Sequence, residues 1–449
     1  MSIILKKMRN KMFAEIDKVR SGLKVFKESM FIHFTKIVCM IVVGAIPLFG
    51  LSSNIQPFST YFILFLNAIM LFKSRRNMMM FMIILVLAYS DYSILYANYL
   101  NVISTSIFTD PITSDINNSA LNILLLFNCL YFLFLKWELP DAQEIKLMKP
   151  QKCDGRIVFL MSLVLVVVFF LGFDAPEEEG LRGSPKPIYE YSLVFFIILF
   201  YYSGGNQLYV ISGLVLALLF SLQNFIFGGR IYGVQFLLCA YFFVFVNRIK
   251  KKYVFMLMAV MFVMMSIIGS VRGALMEGDA DVAGIMSKTL ENGFSLNTAY
   301  AAYYASKTFI YAHDVMPVGE IGRLLWAFLK SILVGISKDD VLPNVTQKYF
   351  THYGGGVYPI YLYFYLDLVG VILAAYILRV YSKLIKNINT ISNELLQCIA
   401  VYVSCSAFRW YLYTPIGLFR AVLFLTIVYY GCLFVRKIRI NPKSNRYVA

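Results

Sequence analysis

Four arginines lie at the ends of long apolar runs in this chain of 449 residues. An arginine in such a place either reaches out to lipid headgroups or belongs to a functional site, because a charge at membrane depth is costly. A guanidinium donates two parallel hydrogen bonds and keeps its proton, which suits a diphosphate. We therefore predict that these arginines bind the diphosphate of a membrane-bound substrate. They are Arg230, Arg272, Arg409 and Arg420.

Glycines accompany two of the candidate positions. Gly228 and Gly229 precede Arg230, and a residue without Cβ lets the backbone turn and approach a ligand. His352 precedes a second glycine run, 354 to 356, where the chain enters an apolar stretch. We predict that His352 orients or activates an acceptor hydroxyl. Its alternative role is that of an ordinary surface histidine.

The stretch 298 to 314 supplies further candidates. His313 and Asp314 are the second choice for moving a proton. Tyr300 and Tyr304 are candidates for a groove that binds sugars, because tyrosine rings can stack on sugar faces. Packing over a cavity is the alternative role for these tyrosines.

Membrane helices must position these residues. A composition of 59% hydrophobic and only 15% charged residues excludes a water-soluble globule. A hydrocarbon core of roughly 30 Å needs about 20 apolar residues per helix. The sequence therefore predicts an all-α, polytopic bundle of about twelve transmembrane helices. The predicted spans are 34–51, 57–73, 77–98, 119–136, 157–173, 190–203, 207–222, 231–247, 253–271, 356–378, 394–408 and 414–434.

Basic residues set the predicted orientation, because cytoplasmic loops retain lysine and arginine. Threading twelve spans places 29 of the 41 basic residues on one side, so both termini are predicted to be cytoplasmic. The net charge of +16 follows from this topology, and nucleic-acid binding is not needed to explain it. The seven cysteines fall in spans or cytoplasmic loops, so we expect no disulfide and no metal site.

The remaining segments flank or interrupt the bundle. Residues 1–33 are basic and amphipathic, spans fill 34–271 and 356–434, and 435–449 form a basic cytoplasmic tail. The segment 272–355 is predicted to be a large outer loop, and loops of this length are usually functional. Within it, 320–336 is predicted to be an amphipathic helix at the membrane interface.

Four of these features form a recognisable combination. They are FGGR at 227–230, SVRG at 270–273, the long outer loop, and HYGGGVYPIYLYFYLDLVGVILAA at 352–375. Together they resemble the Wzy-type polymerases of bacterial O-antigen or capsular repeat units, by motif over roughly residues 190–380. The chain departs from the family where an acid and a Phe-Gly pair are usual, since it has Tyr361 and Leu366-Asp367 there.

The resemblance implies a helical fold of the GT-C class in the bacterial inner membrane. It implies a glycosyltransferase that moves a growing chain from undecaprenyl diphosphate to the next lipid-linked repeat, without a nucleotide sugar, metal or other cofactor. By this resemblance Arg230 and Arg272 stabilise the departing diphosphate, and Arg409 and Arg420 support them. The implied partners are undecaprenyl-diphosphate-linked oligosaccharides, membrane lipids, a chain-length regulator and a flippase, and no nucleic acid.

Two other functions stay open. An O-antigen ligase shares the expected architecture and hands the chain to a lipid A core. A flippase or other transporter of lipid-linked oligosaccharide belongs to a different class. Transporters usually have short loops and charges near the membrane midplane. The long loop and the charges at the outer boundary therefore favour an enzyme.

Overall fold

The structure is a computed structural model, and it describes most of the chain. The described residues are 29–100, 112–135, 153–174, 183–227, 230–246, 248–256, 260, 284, 297–335, 337–352, 354–388 and 393–437. Gly228, Gly229, Arg272 and most of the predicted span 253–271 lie outside them. So do most of the predicted N-terminal amphipathic segment and most of the basic tail.

The described residues are almost entirely helical. A single antiparallel pair, β1 (Phe173–Asp174) with β2 (Ser184–Pro185), is the one sheet among them. The first nine helices are α1 (Ser29–Phe49), α2 (Gln56–Ser74), α3 (Met78–Leu95), α4 (Ser114–Phe134), α5 (Gly155–Leu171), α6 (Pro187–Glu190), α7 (Ser192–Tyr202), α8 (Gln207–Ile226) and α9 (Arg230–Ala240). Helices α3 and α9 continue into π-helical turns, Tyr96–Leu100 and Tyr241–Phe245.

The remaining helices lie between residues 297 and 437. They are α10 (Asn297–Val315), α11 (Val318–Ser331), α12 (Leu342–Thr346), α13 (Tyr358–Lys386), α14 (Glu394–Cys405), α15 (Ala407–Leu412) and α16 (Ile416–Lys437). A 3₁₀ turn, Lys338–Asp340, precedes α12.

Seven of the described helices are long and apolar enough to cross a membrane: α1, α2, α4, α8, α13, α16, and α3 with its π-helical turn. Four shorter apolar helices coincide with the predicted spans at 157–173, 190–203, 231–247 and 394–408. Every predicted span except 253–271 therefore corresponds to a described apolar helix. The prediction of a multi-pass helical membrane protein is confirmed.

Helix α10 lies among the spans, although the sequence predicts its residues to be part of an outer loop. It packs against α3, α4 and α13. One face carries the small residues Ala299, Ala302 and Ala305, all buried, which allow close approach to neighbouring helices. Burial of this face makes α10 part of the packed core.

The predicted interfacial helix exists, but it begins and ends earlier than predicted. Helix α11 ends at Ser331, because the chain then turns and Gly335 takes a φ of +104°. Ile321, Leu324 and Phe328 are buried against the bundle, whereas Trp326 is exposed. The apolar surface of α11 is thus divided between the protein and the surroundings, and its location at a membrane interface stays a prediction.

Helix α13 is broken in its first half. Asp367 has φ 51° and ψ −143°, a conformation that residues with a Cβ rarely adopt. Three residues later, a Cβ on Gly370 would collide with the carbonyl oxygen of Leu362. The break therefore brings the backbone on its two sides too close for any residue but glycine.

Candidate functional site

The most unusual side chain near the N-terminal end of α4 is Lys307 on α10. Lys307 is only 4% exposed. Its Nζ donates to Oδ1 of Asn117 on α4 at 3.1 Å. Among the described residues, no carboxylate forms an ion pair with Lys307. A buried cation without an anionic partner is costly, so the surrounding structure must compensate or a ligand must do so.

Tyrosine rings surround the ammonium group. The Nζ of Lys307 lies 5.9, 5.3 and 5.4 Å from the ring centroids of Tyr300, Tyr303 and Tyr304. These distances are within the range of cation–π attraction. The four residues lie on one face of α10, because their spacings of three, four and seven residues match the helical repeat. We call Lys307, Asn117 and these three tyrosines the lysine cluster.

Tyr99 connects the lysine cluster to α3. Its hydroxyl forms a hydrogen bond of 3.0 Å with the hydroxyl of Tyr303 and donates to the carbonyl of Asn117 at 3.1 Å. Tyr99 lies in the π-helical turn, and such turns often occur at functional sites. Three helices therefore hold the cluster in place.

Burial changes the protonation of the lysine. Removal from water lowers the pKa of Lys307 from 10.5 to about 8. Burial also raises the pKa of Tyr300 and Tyr303. Lys307 is thus cationic at neutral pH but close to losing its proton, and an anion bound beside it would restore a higher pKa.

The turn that contains His352 packs against the same helix. The amide of Val357 donates to Oγ of Ser306 at 2.7 Å, next to Lys307. The amide of Gly356 donates to the carbonyl of Leu412 at the end of α15, at 3.1 Å. Gly355 has a φ of +82°, and a Cβ there would lie 3.0 Å from that same carbonyl oxygen. The glycine run therefore lets the turn, α10 and α15 meet.

His352 is 4% exposed, and both of its ring nitrogens are hydrogen-bonded. Nδ1 accepts from the amide of Gly354 at 3.1 Å, so the proton lies on Nε2, which faces Oγ1 of Thr346 at 3.0 Å. Gln347 donates to the carbonyl of His352 at 2.7 Å. This arrangement fits a histidine that ties the turn to α12. Its role as a base stays a prediction, and it would require the bond from Gly354 to open.

The protonation of His352 predicts an acid-dependent loss of stability. Burial lowers its pKa from 6.5 to about 4, so between these values the unfolded chain binds more protons. The stability contribution of His352 is therefore complete above pH 6.5 and is lost as the pH falls towards 4. We expect the melting temperature of the wild type to fall across this window and that of His352→Asn to fall less.

Thermal unfolding of the purified protein in detergent measures this effect. His33→Asn is the matched control, because His33 is exposed on α1. The prediction fails if the wild type and His352→Asn have parallel curves of melting temperature against pH.

Arg409 lies at the junction of three elements. It forms an ion pair with Glu190 of α6 at 2.5 Å. Its guanidinium carbon lies 4.5 Å from the ring centroid of Tyr232 on α9. The hydroxyl of Tyr232 also donates to Glu190, at 2.9 Å. Arg409 therefore contacts the helix that begins at Arg230, and its role in binding a diphosphate stays a prediction.

Arg420 holds the C-terminal end of α11. Its Nε donates to the carbonyl of Ser331 at 2.8 Å, and its Nη2 donates to the same oxygen. Ser331 is the last residue of α11, where helix carbonyls lack intrahelical partners and attract cations. Arg420 therefore fixes the end of α11 to α16.

A second polar group lies at the break in α13. Nδ1 of His313 is 3.0 Å from the carbonyl of Phe364, which belongs to the turn that loses its helical partners at Asp367. Partial desolvation raises the pKa of Asp314, the Asp367 carboxylate raises it further, and His313 opposes the shift. His313 and Asp367 therefore both lie within range of electrostatic interaction with Asp314.

The predicted residues divide into several sets. The described part of the chain places Tyr300 and Tyr304 beside Lys307, His313 and Asp314 beside Asp367, and Arg409 beside α9. Arg230 begins α9, and Arg272, Gly228 and Gly229 lie outside the described residues. The roles of all the predicted site residues stay predictions.

Sequence reasoning missed Lys307, Glu190 and Asp367. Lys307 follows Tyr300, Tyr303 and Tyr304 at helical spacing in a helix with little other charge, and this signal could have singled it out. Glu190 is a lone acid at the end of an apolar run. The break at Asp367 has no comparable signal, because the surrounding residues form an ordinary apolar helix pattern.

Comparisons with known proteins favour none of the functions considered for this chain. No family model matches the chain, and no curated protein or solved structure matches it either. The sequence and the structure together support one conclusion, that this chain is a multi-pass helical membrane protein.

Proposed function

We propose that this protein transfers oligosaccharide between lipid diphosphates, as a repeat-unit polymerase of the Wzy type. The observation that carries the proposal is the lysine cluster, in which a buried cation has no carboxylate partner among the described residues. Such a cation is suited to an anion that arrives with the substrate. The expected GT-C architecture is part of the same proposal.

The rings around Lys307 suit a glycosylated anion in particular. Tyr300 is half-buried, so part of its ring is accessible beside the ammonium group. A diphosphate placed near Nζ would bring the first sugar of the chain towards the tyrosines. Charge stabilisation by a fixed cation in a water-poor site is often the largest single contribution to catalysis.

The proposed reaction exchanges one glycosidic bond for another. The bond between the anomeric carbon of the donor chain and its diphosphate oxygen breaks, and the lipid diphosphate leaves with the bonding electrons. A hydroxyl oxygen of the acceptor repeat forms the new bond, and its proton passes to a base or to the leaving diphosphate. Asp367, Asp314 and His313 form the described group that could accept this proton.

A second candidate function is transport of the same lipid-linked oligosaccharide. One observation favours it: Asp91 of α3 is completely buried in the bundle. The sequence suggests that charges cluster at the outer boundary, but the structure shows a carboxylate among the spans. Ionisable residues at such depth commonly mark transport pathways or coupling ions.

Reconstitution separates these functions. The purified protein in liposomes is given donor and acceptor repeats on undecaprenyl diphosphate, and the products are separated by size. A polymerase extends the chain and releases undecaprenyl diphosphate, whereas a flippase moves the sugar across the bilayer without forming a bond. A ligase transfers chains only when lipid A core is supplied.

A gene deletion tests the proposal in cells. Loss of polymerase activity should leave single repeats on the core or capsule anchor in place of a ladder of chain lengths. Arg230→Ala and Arg272→Ala test the arginine part separately. If both variants give a normal ladder, these arginines do not bind the diphosphate.

A further inference from the structure

A carboxylate lies in the interior of the helix bundle without a positive partner. Asp91 of α3 is 0% exposed. Its Oδ2 accepts hydrogen bonds from Nδ2 of Asn67 on α2 at 2.7 Å and from Nδ2 of Asn128 on α4 at 3.0 Å. Among the described residues, no lysine, arginine or histidine forms an ion pair with Asp91. Hydrogen bonds from two side-chain amides do not by themselves neutralise a buried negative charge.

Three oxygens in this group lack hydrogen-bond donors. They are Oδ1 of Asp91, Oδ1 of Asn67 and Oδ1 of Asn128, all buried. Each amide oxygen shares a carbon with the nitrogen that donates to Asp91, so both amide groups lie beside the carboxylate. Buried polar atoms are nearly always satisfied, and an exception calls for an explanation such as a bound ion.

Hydrogen bonds set the orientation of both amide groups. The amino group of Asn128 donates to the carbonyl of Leu124 at 2.9 Å as well as to Asp91. Exchanging nitrogen and oxygen in Asn67 or Asn128 would place an amide oxygen against the carboxylate. While Asp91 is ionised, the unpartnered oxygens therefore cannot be removed by rotating either side chain.

A fourth oxygen approaches from α15. The Tyr411 hydroxyl is buried without a hydrogen-bond partner, and it lies within range of electrostatic interaction with Asp91. Tyr411 follows Arg409 by two residues. The group thus joins α2, α3, α4 and α15, and we call Asp91, Asn67, Asn128 and Tyr411 the aspartate cluster.

We propose that the aspartate cluster binds a sodium ion. Carboxylate, amide and hydroxyl oxygens are hard ligands, which suit alkali and alkaline-earth cations. A monovalent cation neutralises the single carboxylate, whereas a divalent cation would leave a net charge inside the bundle. The small number of oxygens and the close packing of the helices favour sodium over the larger potassium ion.

Protonation alone satisfies the cluster less well. A proton on Oδ1 of Asp91 could donate to one amide oxygen and would leave the other without a partner. A cation accepts several oxygen ligands at once, whereas one proton serves a single acceptor. The sodium ion therefore accounts for more of the observed geometry than a neutral carboxyl group does.

The sodium site is separate from the lysine cluster. Asn128 follows Asn117, the partner of Lys307, by eleven residues on α4. At about 1.5 Å per residue, this places the two asparagines roughly 16 Å apart along the helix. The inference does not depend on the proposed glycosyl transfer, and a sodium ion here could stabilise an enzyme or drive a transporter.

Thermal unfolding of the purified full-length protein tests the proposal. The melting temperature is measured in NaCl, KCl and choline chloride at constant ionic strength and pH. We expect a rise of several degrees that saturates with sodium concentration, because a ligand that binds only the folded state stabilises it. Binding of ²²Na⁺ should approach one ion per chain and be displaced by NaCl but not by KCl.

Variants assign the ion to Asp91. Asp91→Asn should abolish both the sodium-specific rise and ²²Na⁺ binding. Asp115→Asn should retain both, because Asp115 is exposed in the first turn of α4. If Asp91→Asn does not fold, ²²Na⁺ binding to the wild type and to Asn67→Ala decides the question, since the latter should bind more weakly.

Several outcomes overturn the proposal. One is an equal melting temperature in all three salts together with no displaceable ²²Na⁺. Another is a melting temperature that changes with pH in sodium-free buffer but never with sodium, which would indicate a protonated carboxyl group. Undiminished ²²Na⁺ binding by Asp91→Asn would place the ion elsewhere.

Discussion

Replacing Lys307 with methionine is expected to abolish glycosyl transfer and to make the protein more stable. Removing one fixed charge that stabilises a developing anion typically slows a reaction about 100-fold or more. The same substitution removes a buried cation whose pKa is lowered from 10.5 to about 8, a depression worth about 3 kcal/mol. Methionine fills a similar volume without a charge. Function and stability should therefore change in opposite directions.

The lowered pKa of Lys307 determines in which direction the stability of the protein changes with pH. Because the pKa of Lys307 is lower in the folded state, the unfolded chain binds more protons between pH 8 and 10.5. Below pH 8 the buried charge of Lys307 destabilises the folded wild type to its full extent, and this destabilisation disappears as the pH rises to about 10.5. The stability gain of Lys307→Met should therefore be largest near neutral pH and vanish in alkali.

Initial rates with lipid-linked repeats and thermal unfolding across this pH range measure the two effects. Lys330→Met is the matched control, since Lys330 is an exposed lysine on α11. It should change neither the rate nor the pH dependence. A Lys307→Met protein that is stable and fully active would contradict the proposed role of the lysine cluster.

The break at Asp367 is expected to be retained for function at the expense of stability. A non-glycine residue in this conformation is strained by about 1–3 kcal/mol. Asp367→Gly relieves the strain, and part of the gain is offset by the greater freedom of glycine in the unfolded chain. We expect a net stabilisation of about 1 kcal/mol. Asp367→Val should destabilise the protein, because a branched side chain tolerates this backbone poorly.

Activity should follow the carboxylate rather than the backbone. Asp367→Gly and Asp367→Asn both remove the acid from the group with His313 and Asp314, so we expect each to slow transfer by roughly 100-fold. Asp367→Asn tests the charge without altering the preference for the strained conformation. Asp339→Asn, at an exposed site in the same part of the chain, is the control. Equal rates for the wild type and Asp367→Asn would show that the break has only a structural role.

Local sequence patterns predict the helices of this protein but not the position of each helix in the bundle. The spans follow from runs of apolar residues, because a bilayer requires every backbone group to be bonded within the helix. The tyrosine-rich stretch 298–314 has a helix-prone composition, and it lies in helix α10 of the structure. Its place among α3, α4 and α13 could not be read from the sequence, since an aromatic helix looks the same over a bundle or inside it.

The arginine group illustrates the same limit. Position at the end of an apolar run identified Arg409 and Arg420, but their partners are distant in sequence. Glu190 and Ser331 lie 219 and 89 residues away from them. Periodicity identifies a face of a helix and says nothing about the residue that the face will meet.

By itself, the sequence determined that this protein is a multi-pass helical membrane protein, because only a lipid bilayer accommodates its apolar composition and its long apolar runs. Tertiary structure alone decided which polar groups are buried and with what partners. Lys307 and Asp91 are ordinary charged residues in the sequence, and packing from three or more helices removes them from water. Burial is a property of contacts between distant segments, and it is burial that turns these two charges into candidate binding sites.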